Sequence, residues 1–214
     1  MSTFDLEEQE QIAALKAWWR EHGALVIVAI AAAALVVAGV VGWRTYQRSQ
    51  AAEASAVYTE LRKAAGTRDI KKVRDLAGTI LEGYPRTAYA PLAALVSAKA
   101  HFESGDLKTA RAQLEWVIDH AREPELGAIA RLRLANVLID EKAFDEALKV
   151  LESQPPPGFE GRYDEARGDV YALQGKTAEA RSAYRAALGR LQPREGATRE
   201  LLELKLEILG GEGA

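Results

Sequence analysis

Cysteine is absent from the 214 residues of this chain. Its absence excludes disulfide bridges, thiolate metal sites, cysteine nucleophiles and a lipoprotein anchor. Histidine is scarce, with three residues, His22, His101 and His120. Charge of either sign is also not in excess, because 28 Lys and Arg residues nearly balance 31 Asp and Glu residues. With a net charge of -3 and no large basic face, no nucleic-acid partner is expected.

The few histidines do not form a pattern that predicts catalysis. His101 and His120 lie on successive predicted helices, and the polar residues 103–106 after His101 form a turn that typically caps the next helix. Asp119, His120 and Glu123 do not predict a metal site, since adjacent helix residues point in different directions. The glycines stand singly at helix ends and do not form a phosphate-binding loop. We predict no enzymatic activity, metal, cofactor or small-molecule substrate.

The longest apolar run extends from Gly23 to Trp43 and contains no charge, amide or hydroxyl group. As a helix it would be about 31 Å long, which matches a hydrocarbon core of ~30 Å. A buried core helix would carry a polar stripe, and the core of a signal peptide is shorter. The run therefore predicts a single transmembrane helix, with membrane lipid as its surroundings.

Residues at and within this run have the character expected of a membrane anchor. Aromatic side chains at both ends are predicted to lie at the membrane interface, and these are Trp18, Trp19, Trp43 and Tyr46. Gly39 and Gly42 are predicted to let another transmembrane helix approach closely.

Four short turns recur along the rest of the chain: GTRD (66–69), ESGD (103–106), DEKA (140–143) and LQGK (173–176). After each turn, an apolar or short side chain is followed three residues later by a small one, and four residues further by another apolar one. The small positions are Val73, Ala110, Ala147 and Ala180. Their spacings are close to the 34-residue tetratricopeptide period, and a small residue is needed where two helices cross closely.

The predicted fold class is all-α, with a single N-terminal transmembrane helix, a tetratricopeptide-like α-solenoid of about four helix pairs and a C-terminal capping helix. Val73 and Gly78 predict that the first repeat is irregular. The helix of the anchor either continues past Ser49 or breaks there. The predicted segments are a tail (1–22), the transmembrane helix (23–43), a connector with the first helix of repeat one (44–65), the repeats (66–194) and the capping helix and tail (195–214).

The first helices of the pairs are predicted to form the inner wall of the array, which is the usual contact surface of helical repeats. The predicted protein-binding groove residues are Leu92, Leu95, Lys99, Phe102, Ile129, Leu132, Asn136 and Ile139. Two occupants of this apolar wall remain open. One is an extended chain or partner helix, and the other is the last helix, 198–209, folded back as a plug or end cap.

Several segments together resemble the YfgM family, the ancillary subunit of the SecYEG translocon in Gram-negative bacteria. They are LKAWWREHG before the apolar run, GWRTYQ after it, and LRLANV, ARGDVYALQGK and EARSAY in the repeats. The resemblance covers nearly the whole chain in the same order of tail, single span and repeat domain.

This resemblance implies a single-pass inner-membrane protein with a cytoplasmic N-terminus and a periplasmic repeat domain. It implies SecYEG and a PpiD-like periplasmic chaperone as partners, with unfolded client chains as a further partner. The implied function is that of a membrane-anchored adaptor that helps hand newly translocated proteins to periplasmic folding factors.

The charges beside the apolar run favour the opposite orientation. Two basic residues precede it, Lys16 and Arg20, and four follow it closely, Arg44, Arg48, Arg62 and Lys63. The positive-inside rule would then keep the large domain in the cytoplasm. The alternative function is an inner-membrane signalling scaffold that binds a cytoplasmic regulator. Because long domains translocate with less regard to flanking charge, we retain the periplasmic orientation.

Overall fold

The computed structural model describes residues 4–192 and 195–210. These residues form nine helices and no strand, which confirms the predicted all-α fold class. The helices are α1 (Phe4–Gly66), α2 (Ile70–Gly83), α3 (Tyr89–Glu103), α4 (Leu107–His120), α5 (Pro124–Asp140), α6 (Phe144–Val150), α7 (Glu160–Leu173), α8 (Thr177–Arg190) and α9 (Gly196–Ile208). Residues 1–3, 193–194 and 211–214, which belong to the predicted tail, the end of the repeats and the C-terminal segment, lie outside the described residues.

The chain divides into two compact units, Met1–Gln50 and Ala51–Ala214. In the first unit, the apolar run of α1 is exposed along its length, and Leu35 has 74% of its surface accessible. By length and composition, α1 is able to cross a membrane, and its most apolar stretch is not buried within the protein. The helix does not break at Ser49, so the continuous alternative is the one observed.

The predicted interface residues lie at both ends of this run. Trp18 stacks on His22 with ring centroids 5.3 Å apart, and Trp43 lies against Tyr46 at 6.2 Å. Added Cβ atoms at Gly39 and Gly42 would meet nothing within 4 Å. The aromatic and glycine residues thus remain accessible to lipid and to another helix, and their roles remain predictions.

The second unit is an array of helix pairs. Leu61 and Ala64 at the end of α1 share a buried cluster with Val73, Ala77 and Ile80 of α2. The following pairs are α3 with α4, α5 with α6, and α7 with α8. The side chains in the predicted small column, Val73, Ala110, Ala147 and Ala180, all have no accessible surface. Their complete burial explains why the pattern in the sequence was so regular.

The first repeat is more regular than its sequence suggested. Its second helix, α2, has 14 residues, as do α4 and α8. The expectation of an irregular first repeat was therefore wrong, because Val73 is accommodated in the core and a Cβ at Gly78 would meet nothing within 4 Å. The short helix is α6, with seven residues, and it ends before the proline run 155–157. Proline disfavours helical conformation in the residue before it and has no N–H to donate.

A tight approach between two helices occurs where α7 crosses α8. A Cβ at Gly168 would overlap the ring of Tyr184, whose side chain is buried against Ala180 and Ala187. The hydroxyl of Tyr184 donates to Asp169 Oδ1 at 2.8 Å, which fixes the ring in this position. Burial raises the pKa of Tyr184 most, and the hydrogen bond to Asp169 raises it further. The hydroxyl therefore stays protonated and continues to donate.

We expect Gly168→Ala to destabilise the protein by about 1–3 kcal/mol, because the ring of Tyr184 or the helix must move. The matched control is Gly189→Ala near the end of α8, where a Cβ meets nothing within 4 Å. That control should be neutral or more stable by ~0.5–1 kcal/mol. Thermal unfolding of the full chain in detergent, followed by circular dichroism, measures both. Equal transitions for the two variants would contradict the close crossing.

Candidate functional site

One wall of the array is formed by the first helices of the pairs, and three cavities open along it. The proximal cavity lies between the end of α1, α3 and α5 and has a volume of about 460 Å³. The middle cavity lies between α3, α4 and α5 and has a volume of about 320 Å³. The distal cavity, bordered by α5, α7 and α9, has a volume of about 370 Å³. The wall is therefore indented along most of its length.

The proximal cavity has an apolar floor and a charged rim. Its floor is formed by Leu92, Leu95, Val96, Leu126 and Ile129. Its rim carries Arg62, Lys99, Glu103 and Arg133. Lys99, Glu103 and Arg133 also line the middle cavity, where Phe102 and Asn136 join them. Because the two cavities share these three residues, they adjoin, and we call the two together the α3–α5 groove.

Basic side chains predominate on the rim of the α3–α5 groove. Lys99 Nζ lies 3.6 Å from Glu103 Oε1, an exposed pair one helical turn apart. Arg133 Nη1 donates to the backbone oxygen of Leu95 at 3.2 Å, which holds its guanidinium across the floor. Within the part of the chain that the structure describes, Arg62 and Arg133 form no ion pair with a carboxylate. The rim therefore has an excess of positive charge.

The last helix, α9, closes the other end of the wall. Leu202 is 1% exposed and packs with Ala180, Tyr184 and Ala187 of α8. Lys205 Nζ lies 2.8 Å from Glu165 Oε1 and 2.7 Å from Asp169 Oδ1 of α7. Burial acts to lower the pKa of Lys205, but the two carboxylates outweigh it and the pKa is raised. The helix takes the place of a next first helix, which is the role of an end cap.

The sequence left open whether the last helix or a partner covers the apolar wall, and α9 covers only part of it. Thr198 and Leu202 of α9 line the distal cavity, which α5 borders through Leu132 and Asn136. The lining residues of the α3–α5 groove include none from α9. The last helix thus covers the distal part of the wall and leaves the α3–α5 groove open.

The structure places most of the predicted groove residues along this wall. Leu92, Leu95, Lys99 and Ile129 line the proximal cavity; Lys99, Phe102 and Asn136 line the middle one; Leu132 and Asn136 line the distal one. Ile139 is half-buried against the core and lines none of the three. Leu95 is 6% exposed and belongs to the core, so it supports the floor more than it offers contact area.

Sequence reasoning missed the contribution of α1 and of Arg133. Tyr58, Arg62 and Ala65 line the proximal cavity from the last turns of α1. Their spacing of four and three residues is that of one helix face, which is the signal that identifies them. Arg133 lies four residues after Ile129, on the same face. Extending the repeat alignment to the first pair would have added the three α1 residues, and the face of Ile129 would have added Arg133.

His101 and His120 contact residues of their own helices and of the adjoining turn. His101 is completely buried, and its Nδ1 lies 3.1 Å from Asp106 Oδ2. Asp106 caps α4 by accepting from the backbone N–H of Thr109 at 3.1 Å, as the turn pattern predicted. His120 stacks on Trp116 with ring centroids 4.4 Å apart. Within the described ranges, no group of three or more His, Asp and Glu side chains is placed to hold a metal ion.

Comparison with known proteins bears on this architecture. Residues 16–211 match the tetratricopeptide repeat-like domain family. A Neisseria gonorrhoeae protein named ancillary SecYEG translocon subunit is 32% identical over 208 residues, 95% of this chain and 98% of the relative. The chain belongs to the family of ancillary SecYEG translocon subunits. Proteins with the same name from Haemophilus influenzae and Escherichia coli are 31% and 28% identical, over 86% and 85% of this chain and 90% and 87% of the relatives.

These relatives, together with the repeat-like domain, confirm the resemblance to the YfgM family seen in the sequence. A repeat-like domain and the names of the relatives indicate a role in binding rather than in catalysis.

Burial of His101 predicts a dependence of stability on pH. Burial lowers its pKa, while the Asp106 carboxylate acts in the opposite direction. Because unfolded histidine gains a proton near pH ~6.5 and the folded protein resists it, the free energy of unfolding should fall as pH drops below that value. Asp106 stays ionised in this window, since hydrogen bonding from Thr109 lowers its pKa.

We expect His101→Gln to remove most of the stability loss between pH ~7.5 and ~5.5. The matched control, His120→Gln, alters an exposed ring and should leave the loss unchanged. Urea unfolding of the full chain in detergent at the two pH values measures the effect. An unchanged pH dependence in His101→Gln would show that another group causes the loss.

Proposed function

We propose that this protein is a membrane-anchored adaptor at the Sec translocon. Its relatives are named ancillary SecYEG translocon subunits, and the matches extend over most of both chains. The α1 helix is long and apolar enough to cross a membrane once. The observation that carries the proposal is the α3–α5 groove, an open depression with an apolar floor that the capping helix α9 does not cover. Such a groove provides a binding surface without catalytic groups.

In this proposal the repeat domain is periplasmic and the N-terminal tail is cytoplasmic. The groove binds a PpiD-like chaperone, and unfolded client chains are a further partner. The protein then helps newly translocated chains reach periplasmic folding factors. The alternative, a cytoplasm-facing signalling scaffold, is favoured by the excess of Lys and Arg after the apolar run. Orientation distinguishes the two functions.

Single cysteines in this cysteine-free chain give a direct test of orientation. Gln11→Cys lies in the tail and Ser182→Cys on α8, and both side chains are exposed. We expect a membrane-impermeant thiol reagent on intact cells to label Ser182→Cys and not Gln11→Cys. Lysed cells, in which both variants should react, provide the control. Labelling of Gln11→Cys alone would overturn the proposed adaptor and favour the cytoplasmic scaffold.

A second test concerns the groove as the partner site. Leu92 is half-buried and lines the proximal cavity, so Leu92→Asp places a charge on the floor without removing a fully buried side chain. We expect this variant to co-purify less of a PpiD-like chaperone than the unaltered protein, since an unpaired charge on an apolar contact is costly.

The matched control is Leu204→Asp, the same substitution at an exposed position of α9, 52% accessible and outside the groove. It should co-purify the chaperone normally, and circular dichroism should report both variants as folded. Normal co-purification by folded Leu92→Asp would exclude the α3–α5 groove as the site.

A further inference from the structure

The α3–α5 groove has features that select one kind of occupant. Five aliphatic side chains form the floor of its proximal part, and three basic side chains face one acid on its rim. We propose that the groove binds an amphipathic helix whose apolar stripe is flanked by acidic side chains. The inference rests on the adaptor function proposed above and names the chemistry of the partner segment.

The polar groups of the groove do not suit an extended chain. A bound extended segment needs partners for its backbone N–H and C=O groups, since buried groups without partners are costly. The described residues that line the proximal cavity include no Asn, Gln, Ser or Thr, and among those that line the middle cavity Asn136 is the one such residue. Every element around the cavity is helical, so no strand edge is available for pairing. A helical partner satisfies its backbone internally and needs only apolar contact from the floor.

The length of the groove fits a few helical turns. Its linings on α3 extend from Leu92 to Glu103, which is about 17 Å along the helix axis. A partner helix of ~11 residues covers this distance and presents apolar side chains at positions i, i+3, i+4 and i+7. The two adjoining cavities provide room for such side chains on either side of Lys99.

The charges on the rim select the flanks of the partner. Arg62 and Lys99 are exposed, and Arg133 is held by a backbone oxygen rather than by a carboxylate. Glu103 is paired with Lys99 and offsets one of the three positive charges. Acidic side chains beside the apolar stripe complement this excess, whereas basic ones meet like charge.

Three labelled peptides with one apolar pattern test the proposal. Each is about 18 residues long, because shorter helices are marginal in water. The first carries Glu on both flanks of the stripe, the second carries Lys there, and the third is the Glu peptide with a central proline that breaks the helix. Binding is measured by fluorescence anisotropy to the full chain in nanodiscs of zwitterionic lipid, with empty nanodiscs subtracted.

We expect the Glu peptide to bind and the Lys and proline peptides to bind at least about tenfold more weakly. The double variant Arg62→Glu with Lys99→Glu should bind the Glu peptide about tenfold more weakly and the Lys peptide more tightly. The matched control, Lys108→Glu with Lys149→Glu, makes the same charge change at exposed positions of α4 and α6 and should leave all three affinities unchanged.

Equal or tighter binding of the Lys peptide to the unaltered protein would overturn the charge preference. Equal binding of the proline peptide would overturn the helical occupant and favour an extended one. Absence of binding by all three peptides would also overturn the inference. None of these results contradicts the adaptor function, which fails separately if the full chain does not co-purify with the translocon.

Discussion

Close helix crossings are the constraint on which the repeat domain depends. Ala110, Ala147 and Ala180 have no accessible surface where the second helices cross their neighbours, and Gly168 lets the ring of Tyr184 lie directly on α7. Helices that approach this closely form pairs with an apolar face left on each side, and each pair must bury that face on the next. The first helices then share one wall, and the last pair needs a cover. The groove and the capping helix both follow from this arrangement.

The wall is divided into two chemically different parts. At the distal end, Lys205 of α9 is matched by the carboxylates of Glu165 and Asp169, so the charges there are neutralised within the protein. In the α3–α5 groove, Arg62 and Arg133 are without carboxylate partners among the described residues, and the floor between them is aliphatic. Charges that are already paired contribute little attraction for a partner, whereas unmatched ones beside apolar surface favour a complementary segment. The unpaired basic side chains and the open apolar surface of the wall are therefore concentrated on the first three pairs.

Much of this architecture could be predicted from the sequence because its signals are local. Turns with a small residue at a fixed distance identified the helix pairs, and the surplus of leucine in the last helix identified a capping role. The first pair was harder to predict from the sequence, since residues 44–65 contain no Gly or Pro that would fix the register of Tyr58 and Arg62. The role of Gly168 and the orientation of Arg133 depend on contacts between residues distant in sequence. Such contacts leave no periodic signal, and they determine the tight crossing and the basic rim.

The position of the capping helix after the repeats affects the order in which the domain matures. Chains emerge from the ribosome with the N-terminal part first, and repeat arrays fold by adding units to those already formed. The pairs containing the α3–α5 groove acquire their neighbours early. The apolar side of α8, including Tyr184 and Ala187, is covered only when Leu202 of α9 has followed. Formation of the α3–α5 groove is thus separated in time from the capping of the last pair, whose apolar side stays accessible in the interval.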